Sequence, residues 1–103
     1  MNKVIKDGKV AVLYSPGFGA GWSTWNSKHR DTLAMDEFIV APFLAGNIDK
    51  MLENAKTLDE YVCVLGADQL EVKWIPVGTR FEIDEYDGSE SIRILDDIDF
   101  MVA

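Results

Sequence analysis

Leu70-Glu-Val-Lys-Trp-Ile-Pro-Val-Gly-Thr-Arg-Phe-Glu-Ile-Asp-Glu-Tyr-Asp-Gly-Ser-Glu-Ser-Ile-Arg-Ile94 is the stretch that sets the fold class. Leu70, Val72 and Trp74 alternate with Glu71 and Lys73; Phe81 and Ile83 alternate with Arg80, Glu82 and Asp84; Ile92 and Ile94 flank Arg93. A period of two with one apolar and one charged face is the signature of half-buried antiparallel strands. Pro76-Val-Gly78 and Asp87-Gly88 supply the turns. The pattern predicts a three-strand antiparallel meander with one wet face.

Upstream, the period lengthens. Asn47 stands where a cap is needed, and Ile48, Met51, Leu52 and Ala55 then fall at i, i+3, i+4 and i+7, which predicts an amphipathic helix. Asp36 caps an earlier helical window over Glu37 to Gly46; Pro42 lies inside it and predicts a kink or a short helix. Val10 to Tyr14 reads as a buried strand, joined to Val4-Ile5 by an Asp7-Gly8 hairpin turn. Tyr61 to Leu65 reads as a further short buried strand, and the tail from Asp96 to Ala103 as an edge strand or an oligomer contact. The expected fold class is α+β: an antiparallel sheet of four to six strands with one or two helices packed on one face. One hundred and three residues predict a single compact domain.

Composition narrows the function classes. Net charge is −8, which argues against nucleic acid as a direct partner, because phosphate contacts need Lys and Arg. The charge is uneven: residues 1–31 carry five basic groups against two acidic ones, net +3, and the remainder is net −11. No apolar stretch approaches the roughly 20 residues of a membrane-spanning helix, and the N-terminus lacks a signal-peptide layout, so a cytoplasmic location is expected. Cys63, the lone cysteine, can form no internal disulfide and reads as a core thiol.

Ser15-Pro-Gly-Phe-Gly-Ala-Gly-Trp-Ser-Thr-Trp-Asn26 is the richest segment for function and lies in the positive part of the chain. Gly17, Gly19 and Gly21 do not match the G-x-G-x-x-G fingerprint, and no Lys follows them as a phosphate-cradling loop requires. A more general reading remains. Glycines let a ligand approach the backbone; Ser15, Ser23, Thr24 and Asn26 offer polar edges; Trp22 and Trp25, three apart, offer faces for a base. Lys28 and Arg30 would then neutralise phosphate, with Arg80 or Tyr86 closing the site from the sheet. The competing reading makes both tryptophans core and the glycines simple turns. Arg80, Glu82, Asp84 and Tyr86 share one strand face, fitting either acid–base chemistry or a solvated cross-strand ion-pair network. His29, the only histidine, stands between Lys28 and Arg30. No catalytic residue set, metal-ligand spacing or cofactor motif is present in the sequence.

Leu13-Tyr-Ser-Pro-Gly-Phe-Gly-Ala-Gly-Trp-Ser-Thr-Trp-Asn26, Gly66-Ala-Asp-Gln-Leu-Glu-Val-Lys-Trp74 and Phe81-Glu-Ile-Asp-Glu-Tyr-Asp-Gly-Ser-Glu90 resemble a family of small single-domain phage and prophage proteins, over about 80 of the 103 residues. The resemblance implies a phage setting. It is similar in kind to that of viral anti-defence proteins, among them homo-oligomeric sponges that sequester cyclic nucleotide or cyclic ADP-ribose signals in the host cytoplasm. On that basis the first expectation is a homo-oligomer that sequesters a small phosphorylated nucleotide without turnover. Two alternatives stay open: a protein–protein inhibitor of a host defence enzyme, and a small nucleotide-degrading enzyme using His29 with Glu82 or Asp84.

Overall fold

The computed structural model describes residues 1–95 and residue 103. The tail expected to form an edge strand or an oligomer contact therefore lies, over 96–102, outside the described residues.

The apolar run after Asp7-Gly8 becomes the central strand. β1 (Ile5–Lys6) and β2 (Lys9–Tyr14) pair antiparallel, Lys6 opposite Lys9. The two turn residues adopt φ of 54° and 73°, the paired left-handed geometry of a two-residue hairpin whose twist matches its strands. β2 is buried on both faces. Ala11 and Leu13 point into one apolar cluster, Val10 and Val12 into another.

Three helices follow. α1 (Arg30–Met35) bridges the two clusters, Leu33 in the first and Ala34 in the second. α2 (Glu37–Leu44) starts as expected at Asp36, whose carboxylate accepts from Phe38 N at 2.9 Å. Pro42 sits inside α2, and its missing N–H leaves the Phe38 carbonyl without its helical donor. The buried Asn54 side chain supplies the replacement, Nδ2 donating to Phe38 O at 2.8 Å. That bond lies between α2 and α3 (Ile48–Leu58), which is capped by Asn47 Oδ1 accepting from Lys50 N at 3.1 Å. Met51 and Ala55 are fully buried, with Ile48 and Leu52 packed beside them, as the helical spacing predicts.

The protein is α+β; among the described residues five strands form two antiparallel sheets rather than the one sheet expected. β3 (Glu71–Pro76) does not begin a meander; it pairs with β2 along its whole length, Val10 opposite Ile75 and Leu13 opposite Val72. β4 (Phe81–Tyr86) and β5 (Ser89–Ile94) form a separate hairpin. The reason is burial. β2 is apolar on both faces and needs a long partner on the edge that the two-residue β1 leaves open. The β4–β5 hairpin then lays Phe81, Ile83, Ile92 and Ile94 over Val10, Val12 and Ile75, on the side of the central sheet away from α2 and α3.

Residues 61–65 are a second correction. They form irregular, mostly half-buried chain rather than a strand, held by a side chain instead of a ladder. Asn26 donates to Cys63 O at 2.9 Å and accepts from Cys63 N at 2.7 Å. Cys63 is only partly buried.

Candidate functional site

The hairpin tip of β4–β5 docks into the glycine loop. Asp87 and Gly88 turn with φ of 52° and 83°; Gly19 N donates to Asp87 O at 2.8 Å, and Glu90 N donates to Ser15 O at 2.7 Å. Ser89 Oγ donates to Pro16 O at 2.6 Å. A Cβ on Gly88 would lie 2.3 Å from Ala20 N, so only glycine fits both the turn and the contact.

Glu90 is the centre of this junction. Alternation along β5 puts it on the same face as Ile92 and Ile94, pointing inward, and it is 1% exposed. Its Oε1 accepts from Ser15 N at 2.8 Å. Its Oε2 accepts from Trp22 N at 2.8 Å, Thr24 N at 3.0 Å and Thr24 Oγ1 at 2.6 Å. Among the described residues no Lys or Arg pairs with it. A carboxylate removed from water is costly unless hydrogen-bonded, and four donors at these distances meet that need. Gly21 admits it: a Cβ there would stand 2.6 Å from Thr24 Oγ1 and 3.1 Å from Glu90 Oε2.

The loop is thus an anion-holding nest whose anion belongs to the chain itself. Ser15, Trp22 and Thr24 direct their backbone donors at Glu90. Trp22 is fully buried, and its Nε1 donates to Leu33 O at 2.9 Å. Ser15 Oγ donates to Ala20 O at 3.2 Å. The Ser23 hydroxyl is also fully buried and has no hydrogen-bond partner among the described residues. Besides Cys63, the Asn26 side chain binds Trp22 O at 2.8 Å. Gly17 faces the Gln69 side chain.

Trp25 is different. A single 3-10 turn, Ser23–Trp25, carries it outward to 42% exposure, while Trp22 precedes the turn at φ −109°, ψ −92° and faces inward. The two indoles therefore share no face. On one side of Trp25 lies a hollow of about 260 Å³ lined by Trp25, Ser27, Lys28, His29, Asp59 and Tyr61. Tyr61 is 85% exposed. Asp59 Oδ1 accepts from Tyr61 N at 2.9 Å, and Oδ2 lies 3.5 Å from His29 Nε2. The Tyr61 N–H does most to hold the Asp59 carboxyl below its ordinary value; desolvation opposes it, and His29 and then Lys28 add to the lowering. On the other side of Trp25 lies a hollow lined by Phe18, Gly19, Glu85, Asp87 and Gly88.

The remaining expected residues scatter. Arg30 is exposed beside Asp31, at 3.4 Å; it shares a hollow of about 180 Å³ with Ser27, Lys28 and His29, and it also lines another between α1 and β4, but it does not line the Trp25–Tyr61 hollow. Arg80 lies at the open end of the hairpin, where its carbonyl accepts from Leu95 N, roughly 20 Å along the strand from the tip. Tyr86 is exposed on the outer hairpin face, shared with Glu82 and Asp84 as the spacing predicts. Glu82 and Asp84 pair with Arg93 across the strands, the latter at 3.4 Å, and His29 pairs with Asp59 rather than with either. Sequence reasoning assigned no role to Glu90, Tyr61, Asp59, Phe18 or Glu85. For Glu90 a signal existed: a carboxylate in phase with two isoleucines on one strand face.

Among the described residues, no His, Cys, Asp and Glu side chains gather in a group of three that could hold a metal, and no helix is long and apolar enough to cross a membrane. The chain matches no family model, no curated protein and no solved structure.

Proposed function

We propose that this chain is a binding module that sequesters a small phosphorylated nucleotide without turning it over, using the outer face of the loop rather than its interior. The observation that carries the reading is the hollow between Trp25 and Tyr61, where two exposed aromatic rings stand with Lys28 and with His29, the latter facing Asp59. Aromatic faces take a base by stacking, and a lysine ammonium takes phosphate as a point charge. The interior donors are spent on Glu90, so the glycine loop acts as the frame that fixes Trp25. The hollow, at about 260 Å³, is slightly smaller than the usual ligand pocket. A second copy of the chain is the natural cover, in keeping with a homo-oligomer.

The resemblance of the Gly-Trp and Glu-Tyr-Asp-Gly blocks to phage proteins supports a setting. A phage-encoded sponge would lower the free concentration of a cyclic nucleotide signal in the host cytoplasm and so blunt anti-phage defence. Stoichiometric capture needs no nucleophile and no metal.

Thermal unfolding with a panel of cyclic mono- and dinucleotides, linear nucleoside monophosphates and cyclic ADP-ribose tests the reading. A ligand at 100 times its Kd adds about 2.7 kcal/mol to stability, a shift of about 10 °C for a domain of this size. The shift should vanish in Trp25→Ala and Lys28→Ala. A panel that moves neither the unfolding curve nor tryptophan emission contradicts the proposal.

A further inference from the structure

Whereas the first hollow beside Trp25 sets Lys28 and His29 beside Asp59, the second is acidic. It measures about 420 Å³ and is lined by Phe18, Gly19, Trp25, Glu85, Asp87 and Gly88. Phe18 is 70% exposed, and none of the lining residues is basic. Among the described residues, neither the Glu85 nor the Asp87 carboxylate accepts a hydrogen bond or joins an ion pair. Other carboxylates on the same hairpin are engaged: Glu82 and Asp84 by Arg93, Glu90 by four donors.

From this geometry we infer that the Phe18–Trp25 cleft is a docking site for an arginine side chain presented by a basic peptide segment of a partner protein. A guanidinium is planar, weakly hydrated and always charged; it stacks on aromatic faces while its N–H fork reaches carboxylates. Phe18 and Trp25 supply the faces, Glu85 and Asp87 the acceptors. Lysine fits less well, because its strongly hydrated ammonium gains less from the rings and cannot form the fork. The cleft is also held in shape before anything arrives. Its floor is the Gly19 N–Asp87 O bond, and Trp25 ends the turn that Glu90 anchors. The net charge of −8 would draw a basic segment in. An anionic nucleotide, by contrast, is repelled from this side of Trp25, so the two sites are separable through Glu85 and Asp87 on one side and Lys28 on the other.

The test is anisotropy with a fluorescein-labelled Gly-Arg-Gly-Arg-Gly peptide, alongside its lysine and glutamate counterparts. Glu85→Gln with Asp87→Asn removes both charges, and asparagine retains the left-handed turn position. Wild type should bind the arginine peptide more tightly than the lysine peptide and should not bind the glutamate peptide. The double variant and Trp25→Ala should each weaken binding by about tenfold or more, and Lys28→Ala should leave it unchanged. Unfolding temperatures of the double variant and wild type should agree within about 2 °C, since both carboxylates are exposed. Equal affinity of wild type and the double variant, equal affinity for arginine and lysine peptides, or no binding at millimolar peptide would each overturn the inference. Failure here would leave the nucleotide shift intact, because Trp25 alone is common to both sites and the nucleotide site's Lys28, His29 and Tyr61 lie outside this cleft.

Discussion

Trp22 and Trp25 stand three residues apart and belong to different parts of the protein. Trp22 is sealed in the core, with its backbone N–H on Glu90 and its indole N–H on the Leu33 carbonyl. Trp25 ends the 3-10 turn that Trp22 precedes and separates two surface hollows, one with Lys28, His29, Asp59 and Tyr61, the other acidic with Phe18. The difference teaches that a loop rich in glycine, hydroxyls and indole can be built to hold something already within the chain. Glu90 fills the nest, and the fixed nest presents Trp25.

The contrast breaks most severely at Glu90. Glu90→Ala leaves three buried backbone N–H groups without an acceptor, and the expected loss of stability is about 3–5 kcal/mol by chemical denaturation. A loss below about 1 kcal/mol would mean that water or another carboxylate fills the nest equally well. Exchanging the tryptophans sharpens the same point. Trp22→Ala should cost about 3–5 kcal/mol, as for other large core truncations, whereas Trp25→Ala, at a half-exposed ring, should cost about 1–2 kcal/mol while abolishing ligand shifts. Gly88→Ala drives a Cβ into the Ala20 backbone at positive φ, and a cost of about 2–4 kcal/mol is expected in the same assay.

The smallest effect concerns Asp59. Its carboxyl is held below the ordinary value in the fold, so its contribution is present above that ordinary value and is lost as pH falls through the lowered one. Asp59→Asn should flatten that acid limb slightly and leave neutral-pH unfolding nearly unchanged. An unaltered acid limb would show that the Tyr61 N–H and His29 contribute nothing there.

Much of the fold was legible because it rests on local periodicity. The Asp7-Gly8 and Asp87-Gly88 turns, the caps at Asp36 and Asn47, and the apolar stripe of Ile48, Met51, Leu52 and Ala55 all form as their residue types dictate. Strand partnership was not legible. Nothing local distinguishes β3 pairing with β4 from β3 pairing with β2; the choice depends on the unfilled edge of a strand some 60 residues earlier. Helix α1 carries no strong cap and follows directly on two 3-10 turns, so its boundaries are set by Leu33 and Ala34 packing into different clusters. The rescue of the Phe38 carbonyl by Asn54 likewise joins residues that no sequence spacing links. At the candidate site, Lys28 was legible as a ligand-ready type, while nothing local told the exposed Trp25 from the buried Trp22. Trp22, Ser23 and Asn26 were not legible as interior, because burial of a polar loop needs a partner from elsewhere, here Glu90 and Cys63.

The division between the inside and the outside of the loop is tested most directly by amide and indole NMR shifts during titration with 3′,5′-cyclic di-AMP and cyclic ADP-ribose. The expected result is movement of the Trp25 indole and of the Lys28, His29 and Tyr61 amides, with Ser15, Trp22 and Thr24 still. Movement centred on the Ser15, Trp22 and Thr24 amides would show the ligand displacing Glu90 from the nest and would contradict the account.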